Sequence, residues 1–207
     1  MNELFYTDLI PNAKVKSAIS TKHCTLETLL DSPEFTNKTL LKMDQTHSDN
    51  ISFISSVPST NTIANCDALI TTIPKVILSV KTADCLPILI YHPYPLIAAI
   101  HAGREGTKKE ILFKTLSEIK KTTKSLNNLE IWFGPHICGN CYEINKSPKK
   151  TFNILKNNIN QIKKLISTEN VHFHYQTECT LKKSDRYHSY RKSGKNAGRL
   201  YSIIMIN

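Results

Sequence analysis

The stretch "KVILSVKTADCLPILIYHPYPLIAAIHAG", residues 75–103, decides the fold. It holds three apolar runs, 75–84, 86–93 and 95–103, rich in Ile and Val and bounded by Asp, Pro or Gly. That composition and length predict β-strands. The runs are nearly unbroken rather than alternating, so the strands are expected to be covered on both faces. Two polar interruptions need an explanation. Asp84 and Cys85 stand side by side where the second run begins, and His101 closes the third. If the runs are neighbouring strands, a thiol and an imidazole share one end of a sheet.

Working outward, "NISFISSV" (50–57) and "DALITT" (67–72) read as strands upstream, and "LEIWFGP" (129–135), "VHFHYQ" (171–176) and "RLYSIIMIN" (199–207) downstream. "TKKE" at 107–110 has the form of a capping box, with Thr107 opening a helix whose apolar face is Ile111, Leu112, Leu116 and Ile119. Ser147–Pro148 reads as the N-cap and first position of a second helix carrying Phe152, Leu155, Ile159, Ile162 and Ile166. In "VHFHYQ", Val171, Phe173 and Tyr175 fall on one face, leaving His172 and His174 outward and solvated. The order of elements is not a regular βαβ alternation. It predicts one α/β domain over residues 1–207, with a mixed sheet and helices outside.

The net charge of +10 raises the question of nucleic acid, but nearly all of the basic residues are Lys. Only Arg104, Arg186, Arg191 and Arg199 carry the guanidinium that suits base and bidentate phosphate contacts. No basic stretch is interleaved with aromatics, so no nucleic-acid partner is expected, although the charge would attract small anions. No run approaches the length of a membrane span, and "MNELFYTDLIPN" lacks the apolar core of a secretion signal, so a cytoplasmic protein without a membrane partner is expected. The six cysteines are then read singly, as core residues, metal ligands or nucleophiles, and not as a disulfide framework.

His47, Cys85 and His101 interrupt apolar or strand-like surroundings, and two imidazoles with a thiolate make a three-ligand zinc set with the fourth position open to water. Their spacing is not a finger signature, and the residues admit other readings. Cys85 is also a plain core cysteine, or a nucleophile with His101 as base and Asp84 orienting the imidazole. "HICGNC" offers a rival set, His136, Cys138 and Cys141, or simply a tight loop after a strand. Tyr190, Arg191 and Arg199 lie on a Gly-punctuated loop suited to stacking and phosphate contact, or to a solvated turn.

"QTH", "DALIT", "TADCLPILI", "AAIHAG", "GPHI…CYEI" and "SYRK…GR", in this order, resemble the YfiH-type laccase-domain family, also called the multicopper polyphenol oxidoreductase family. The match runs from about Gln45 to the C-terminus. The resemblance implies an α/β sandwich of mixed sheets, similar to the catalytic domain of the cytotoxic necrotizing factor toxins, which use a Cys–His pair. It implies metal ligands at His47, Cys85 and His101, usually holding zinc, with copper as the other candidate. It implies purine nucleosides and phosphate as partners: phosphorolysis of adenosine, inosine, guanosine or methylthioadenosine, and deamination of adenosine. In that reading Cys85, His101 and Asp84 are catalytic, Asp84 as proton shuttle, and Lys22, Gln45, Tyr190, Arg191 and Arg199 bind substrate. Two alternatives attach to the family, a copper-linked polyphenol oxidase and a cysteine-type amidase editing peptidoglycan precursors. A single His₂Cys set supplies too few ligands for the several copper ions of a laccase. Two departures stand out. Glu105 in "HAGREG" stands where the family has Arg, and "STKHC" places Lys22 where the family has an arginine.

Overall fold

The computed structural model describes residues 3–166 and 170–207. The N-terminal part forms β1 (Phe5–Thr7), β2 (Val15–Ser20), α1 (Leu26–Leu30), β3 (Thr39–Met43), β4 (Ile51–Ile54), β5 (Thr62–Ile63) and β6 (Ala68–Thr71). The three apolar runs follow as β7 (Val76–Thr82), β8 (Leu86–His92) and β9 (Leu96–Ala102). Then come α2 (Arg104–Lys108), α3 (Ile111–Thr123), β10 (Leu129–Phe133), β11 (Glu143–Lys146), β12 (Lys149–Thr151), α4 (Ile154–Ile162), β13 (Val171–Tyr175), α5 (Tyr190–Ser193) and β14 (Leu200–Ile206).

The strands make two six-stranded sheets, β1-β2-β14-β7-β3-β5 and β13-β10-β8-β9-β6-β4, with β11 and β12 as a separate hairpin. Each large sheet is mixed, antiparallel through its middle and parallel toward an edge. Leu41, Leu78, Val80 and Ile204 of the first sheet meet Leu69, Leu89, Ile97, Ala99 and Trp132 of the second in one buried layer. The second sheet's other face carries Ile88, Ile90, Ala98 and Ile100 against Leu112, Leu116 and Ile119 of α3 and Ile154 and Ile162 of α4. Helix α1 covers the outer face of the first sheet through Leu26 and Leu29. This four-layer arrangement is why the central runs do not alternate: both faces of β8 and β9 are buried along their whole length.

The turn from β7 to β8 sets up the site. The two strands lie in different sheets, and the chain passes between them through Ala83 and Asp84. Asp84 takes a left-handed conformation, φ 87°, a strained state for a residue with a side chain. β8 then pairs with β9 with Pro87 opposite His101. Pro87 costs the sheet no bond with β9 there, because the His101 amide turns to the Asp67 carbonyl at 2.8 Å.

Two helix starts differ from expectation. Gly103, not Thr107, precedes the helical turn of α2, and Thr107 is buried inside it. The Thr107 hydroxyl accepts from Asn158 Nδ2 at 3.0 Å, so it ties α2 to α4 and does not cap α3. The residue before α3 is Glu110, in the left-handed region at φ 65°. Ser147 and Pro148 form the turn of the β11–β12 hairpin, and α4 starts later, with Asn153 Oδ1 accepting from the Lys156 amide at 2.9 Å. On β13, His174 is half-buried and meets Glu130 Oε2 across the parallel pair with β10 at 3.1 Å, where a solvated imidazole was expected; His172 is exposed.

Candidate metal centre and its cavity

His47, Cys85 and His101 converge from three separate segments, and their ligand atoms lie within 4.8 Å of one another. His101 comes from the end of β9, Cys85 from the residue before β8, and His47 from the loop between β3 and β4. Cys85 Sγ is 3.9 Å from His47 Nε2, and the two imidazole rings meet edge to face at 4.8 Å.

The group that assembles them is Asp67, fully buried at the start of β6. Its Oδ1 accepts from His101 Nδ1 at 2.6 Å and from the His47 amide at 3.1 Å. Its Oδ2 accepts from the Ser48 amide and hydroxyl, each at 2.7 Å, and from the Thr46 amide at 3.1 Å. One carboxylate therefore fixes both histidines. It holds the ring of His101, and it holds the backbone of residues 46–48 while His47 sits in the left-handed region at φ 60°. Burial alone would raise the Asp67 pKa, but the His101 and Ser48 contacts prevail and hold it well below the usual carboxylate range.

These residues suit a metal. With Nδ1 committed to a carboxylate, His101 presents Nε2, the arrangement in which a second-layer acid orients a ligating imidazole. Two nitrogens and one thiolate at this separation match a tetrahedral zinc site with one position open. The space is kept by Gly103: a Cβ there would lie 2.9 Å from His47 Cδ2 and 3.3 Å from Cys85 Sγ. The electrostatics agree. Burial raises the Cys85 thiol, yet the charge and hydrogen bond of His101, with those of His47, bring it down to about 6. Burial likewise lowers His101, and Cys85 and Asp67 outweigh it, raising it to about 9. The pair is a thiolate beside an imidazolium, ready to exchange that proton for a cation.

The three donors open onto a cavity of about 960 Å³. Of the substrate-binding candidates, Gln45, Tyr190, Arg191 and Arg199 line it together with Asp84, and Lys22 does not. The Lys22 ammonium donates to the Ser184 carbonyl at 2.9 Å. Gln45 brackets Lys81, accepting from its amide at 2.9 Å and donating to its carbonyl at 2.8 Å. Asp84 accepts from the Thr180 hydroxyl and from the Arg191 amide, both at 2.6 Å, so it anchors the start of α5 at the cavity wall. Arg191 also donates to the Glu143 carbonyl at 2.7 Å and lies 5.4 Å from the Tyr142 ring centre. Glu105 lines the wall as well, holding Arg104 Nε at 2.8 Å.

The sequence reading missed Asp67 as a support and Arg104 and Tyr142 as cavity residues. An acid opening the apolar "DALIT" was a signal of the same kind as Asp84 before "CLPILI". The rival set also changes: Cys138 and Cys141 converge with Cys179, while His136 turns its Nδ1 to the Gly134 carbonyl at 2.9 Å. Among the described residues, no helix is long and apolar enough to cross a membrane.

The chain is 32% identical over 182 residues to a purine nucleoside phosphorylase of Clostridium acetobutylicum, covering 79% of this chain and 75% of that one. It is 31% identical over 97 residues, 46% of this chain and 37% of the other, to adenosine deaminase RL5 of an unknown prokaryotic organism. In three dimensions it is similar to the hypothetical protein YfiH of Bacillus licheniformis, with a TM-score of 0.82 over 93% of each chain at 18% identity, a likeness of fold. The model of the multi-copper polyphenol oxidoreductase laccase family matches residues 23–207, and the chain belongs to that family.

Proposed function

We propose that the protein is a zinc-dependent purine nucleoside enzyme, acting by phosphorolysis of nucleosides such as adenosine, inosine, guanosine and methylthioadenosine and by deamination of adenosine. The observation that carries this reading is the His47, Cys85 and His101 donor set, backed by Asp67, at one wall of a cavity large enough for a nucleoside. The names of the Clostridium phosphorylase and the RL5 deaminase support the substrate class.

His47, Cys85 and His101 would hold the zinc, which would supply the Lewis acidity needed to activate water near neutral pH. Asp67 keeps His101 in the tautomer whose Nε2 faces the cavity. Asp84 is the candidate to carry the proton to the leaving ammonia; its two hydrogen bonds leave lone pairs on a carboxylate that faces the same space. Tyr190 is half exposed at the cavity edge and offers a face for a purine. For phosphorolysis, Arg191 and Arg199, with Arg104 beside them, are the groups to hold phosphate against the ribose carbon. Lys22 is left out of that set because it does not line the cavity. The zinc-loaded protein incubated with adenosine and phosphate is expected to release adenine with ribose 1-phosphate, and inosine with ammonia. A folded, zinc-loaded protein that does neither overturns the proposal.

A second reading takes Cys85 as a nucleophile with His101 as its base, as in the Cys–His pair of the cytotoxic necrotizing factor catalytic domain, acting on an amide such as a peptidoglycan precursor. Its support is the lowered Cys85 thiol in contact with His101. Activity that survives chelation and dies on alkylation favours it; activity lost on chelation and restored by zinc favours the first. Copper in the same three ligands is tested by the same restoration with Cu(II) and a phenolic substrate.

A further inference from the structure

We infer that Cys138, Cys141 and Cys179 form a second metal site, a tris-thiolate centre for a thiophilic divalent ion of the zinc class, separate from the cavity donors. Their three sulfurs lie within 4.8 Å of one another, and all three are unpaired by disulfides. They come from two segments: the loop after β10 supplies Cys138 and Cys141, and the chain after β13 supplies Cys179.

The backbone around them is built for sulfur. Cys138 to Cys141 is a tight turn in which the Cys138 carbonyl accepts from the amides of Cys141 at 2.9 Å and Tyr142 at 3.0 Å. That turn brings both CxxC thiols to one side, the usual half-site for zinc. The Cys138 amide donates to Cys179 Sγ at 3.4 Å. Amides aimed at a cysteine sulfur satisfy a thiolate and are the outer contacts that ligating sulfurs attract. The two segments are already in register through a parallel bridge of His136 with Cys179, the His136 amide on the Glu178 carbonyl at 3.2 Å and the Thr180 amide on the His136 carbonyl at 3.1 Å. Three soft ligands select zinc-class ions over magnesium or calcium, and water completes the fourth position at this half-exposed edge.

The placement gives the site a purpose. Both segments end on Asp84: the Ile137 amide donates to its carbonyl at 2.9 Å and the Thr180 hydroxyl to its carboxylate at 2.6 Å. An ion joining the three sulfurs clamps the two segments that hold the residue before Cys85. It is a structural staple behind the cavity wall, and it does not depend on the proposed reaction.

The test is a Co(II) titration of the reduced, full-length Cys85→Ala protein, in which no cavity thiolate remains. The expected result is a thiolate-to-cobalt charge-transfer band that saturates at about one equivalent, with the visible bands of a tetrahedral ion, and is displaced by Zn(II). The band should vanish in Cys85→Ala combined with Cys141→Ser. A second measurement needs no further variant: Zn(II) should protect Cys138, Cys141 and Cys179 of the Cys85→Ala protein from alkylation, read peptide by peptide. No band and no protection in folded Cys85→Ala protein overturn the proposal. So does a band that persists without Cys141, or a disulfide among the three that forms in preference to ion uptake.

Discussion

The hairpin of β8 and β9 carries a buried histidine at each end, and the two behave oppositely. His101, 3% exposed, sits beside Cys85 and Asp67, which raise it to about 9. His92, 6% exposed, sits at the turn opposite Leu96, where its Nδ1 accepts from the Tyr94 amide at 3.1 Å and its buried Nε2 meets no hydrogen-bond partner among the described residues. Burial lowers it. Both histidines lie at strand ends of one hairpin and are almost closed to solvent, so neither feature makes a histidine functional. What differs is the charged company: the Cys85 thiolate beside the ring and the Asp67 carboxylate brought in by the neighbouring strand β6.

Breaking the comparison at its strongest point means removing Asp67. Asp67→Ala leaves a buried imidazolium and the amides of 46–48 without their acceptor, a loss of about 3–5 kcal/mol typical of halving a buried ion pair. Chemical denaturation of the metal-free protein should show it. Asp67→Asn keeps one acceptor oxygen and much of the shape. It should fold yet bind zinc about 10- to 100-fold more weakly, as loss of a ligand's supporting acid does. Unchanged zinc affinity in Asp67→Asn would return Asp67 to a purely structural role.

The contrast sharpens in the reactivity of Cys85. In chelator-treated protein the thiolate forms as pH rises through about 6, so alkylation of the Cys85 peptide should be half-maximal near that pH and level above it. An ordinary thiol reaches the same point at about 8.5. Asp67→Asn weakens the charge on His101 and should move the midpoint upward. A Cys85 profile identical to that of an unfolded control would show that the imidazoles do not act on the thiol.

Asp84 tests the other side of the same turn. Asp84→Ala removes the acceptor of the Thr180 hydroxyl and the Arg191 amide, two charge-assisted bonds of about 1.5–3 kcal/mol each, part of which water recovers at the cavity edge. The net loss should be smaller than for Asp67→Ala, with reduced thermal stability and weakened binding of phosphate. Wild-type phosphate affinity would separate Arg191 from anion binding.

The sequence made this end of the hairpin visible and left its support hidden, for a physical reason. Unbroken apolar runs interrupted by Asp84–Cys85 and His101 are local signals, and β7, β8 and β9 follow them closely. Asp67 acts only because β6 pairs with β9 and delivers its carboxylate to residues 46–48 and to His101, a consequence of sheet order. Cys179 meets Cys138 and Cys141 because β13 runs parallel to β10, again a long-range event. The strand β2, "VKSAIS", mixes Lys and two Ser with Val, Ala and Ile yet is almost wholly buried between β1 and β14, so its neighbours, not its own pattern, define it. Thr107 and Ser147 carried correct cap chemistry, but Thr107 is taken by Asn158 of α4 and Ser147 by the turn of the β11–β12 hairpin.

The smallest effect comes from the hairpin's other end. Burial lowers His92, so as pH falls the unfolded chain takes up this proton before the fold does. The unfolded state then binds more protons, so this residue lowers stability on acidification and contributes nothing at alkaline pH. Asn at 92 keeps an acceptor for the Tyr94 amide and cannot titrate. His92→Asn should therefore gain on wild type between pH 8 and pH 5, read as a double difference in urea denaturation so that Asp67, Cys85 and His101 cancel. A difference that does not change with pH would mean that His92 takes up its proton equally in the folded and unfolded chain, and that burial does not act on it.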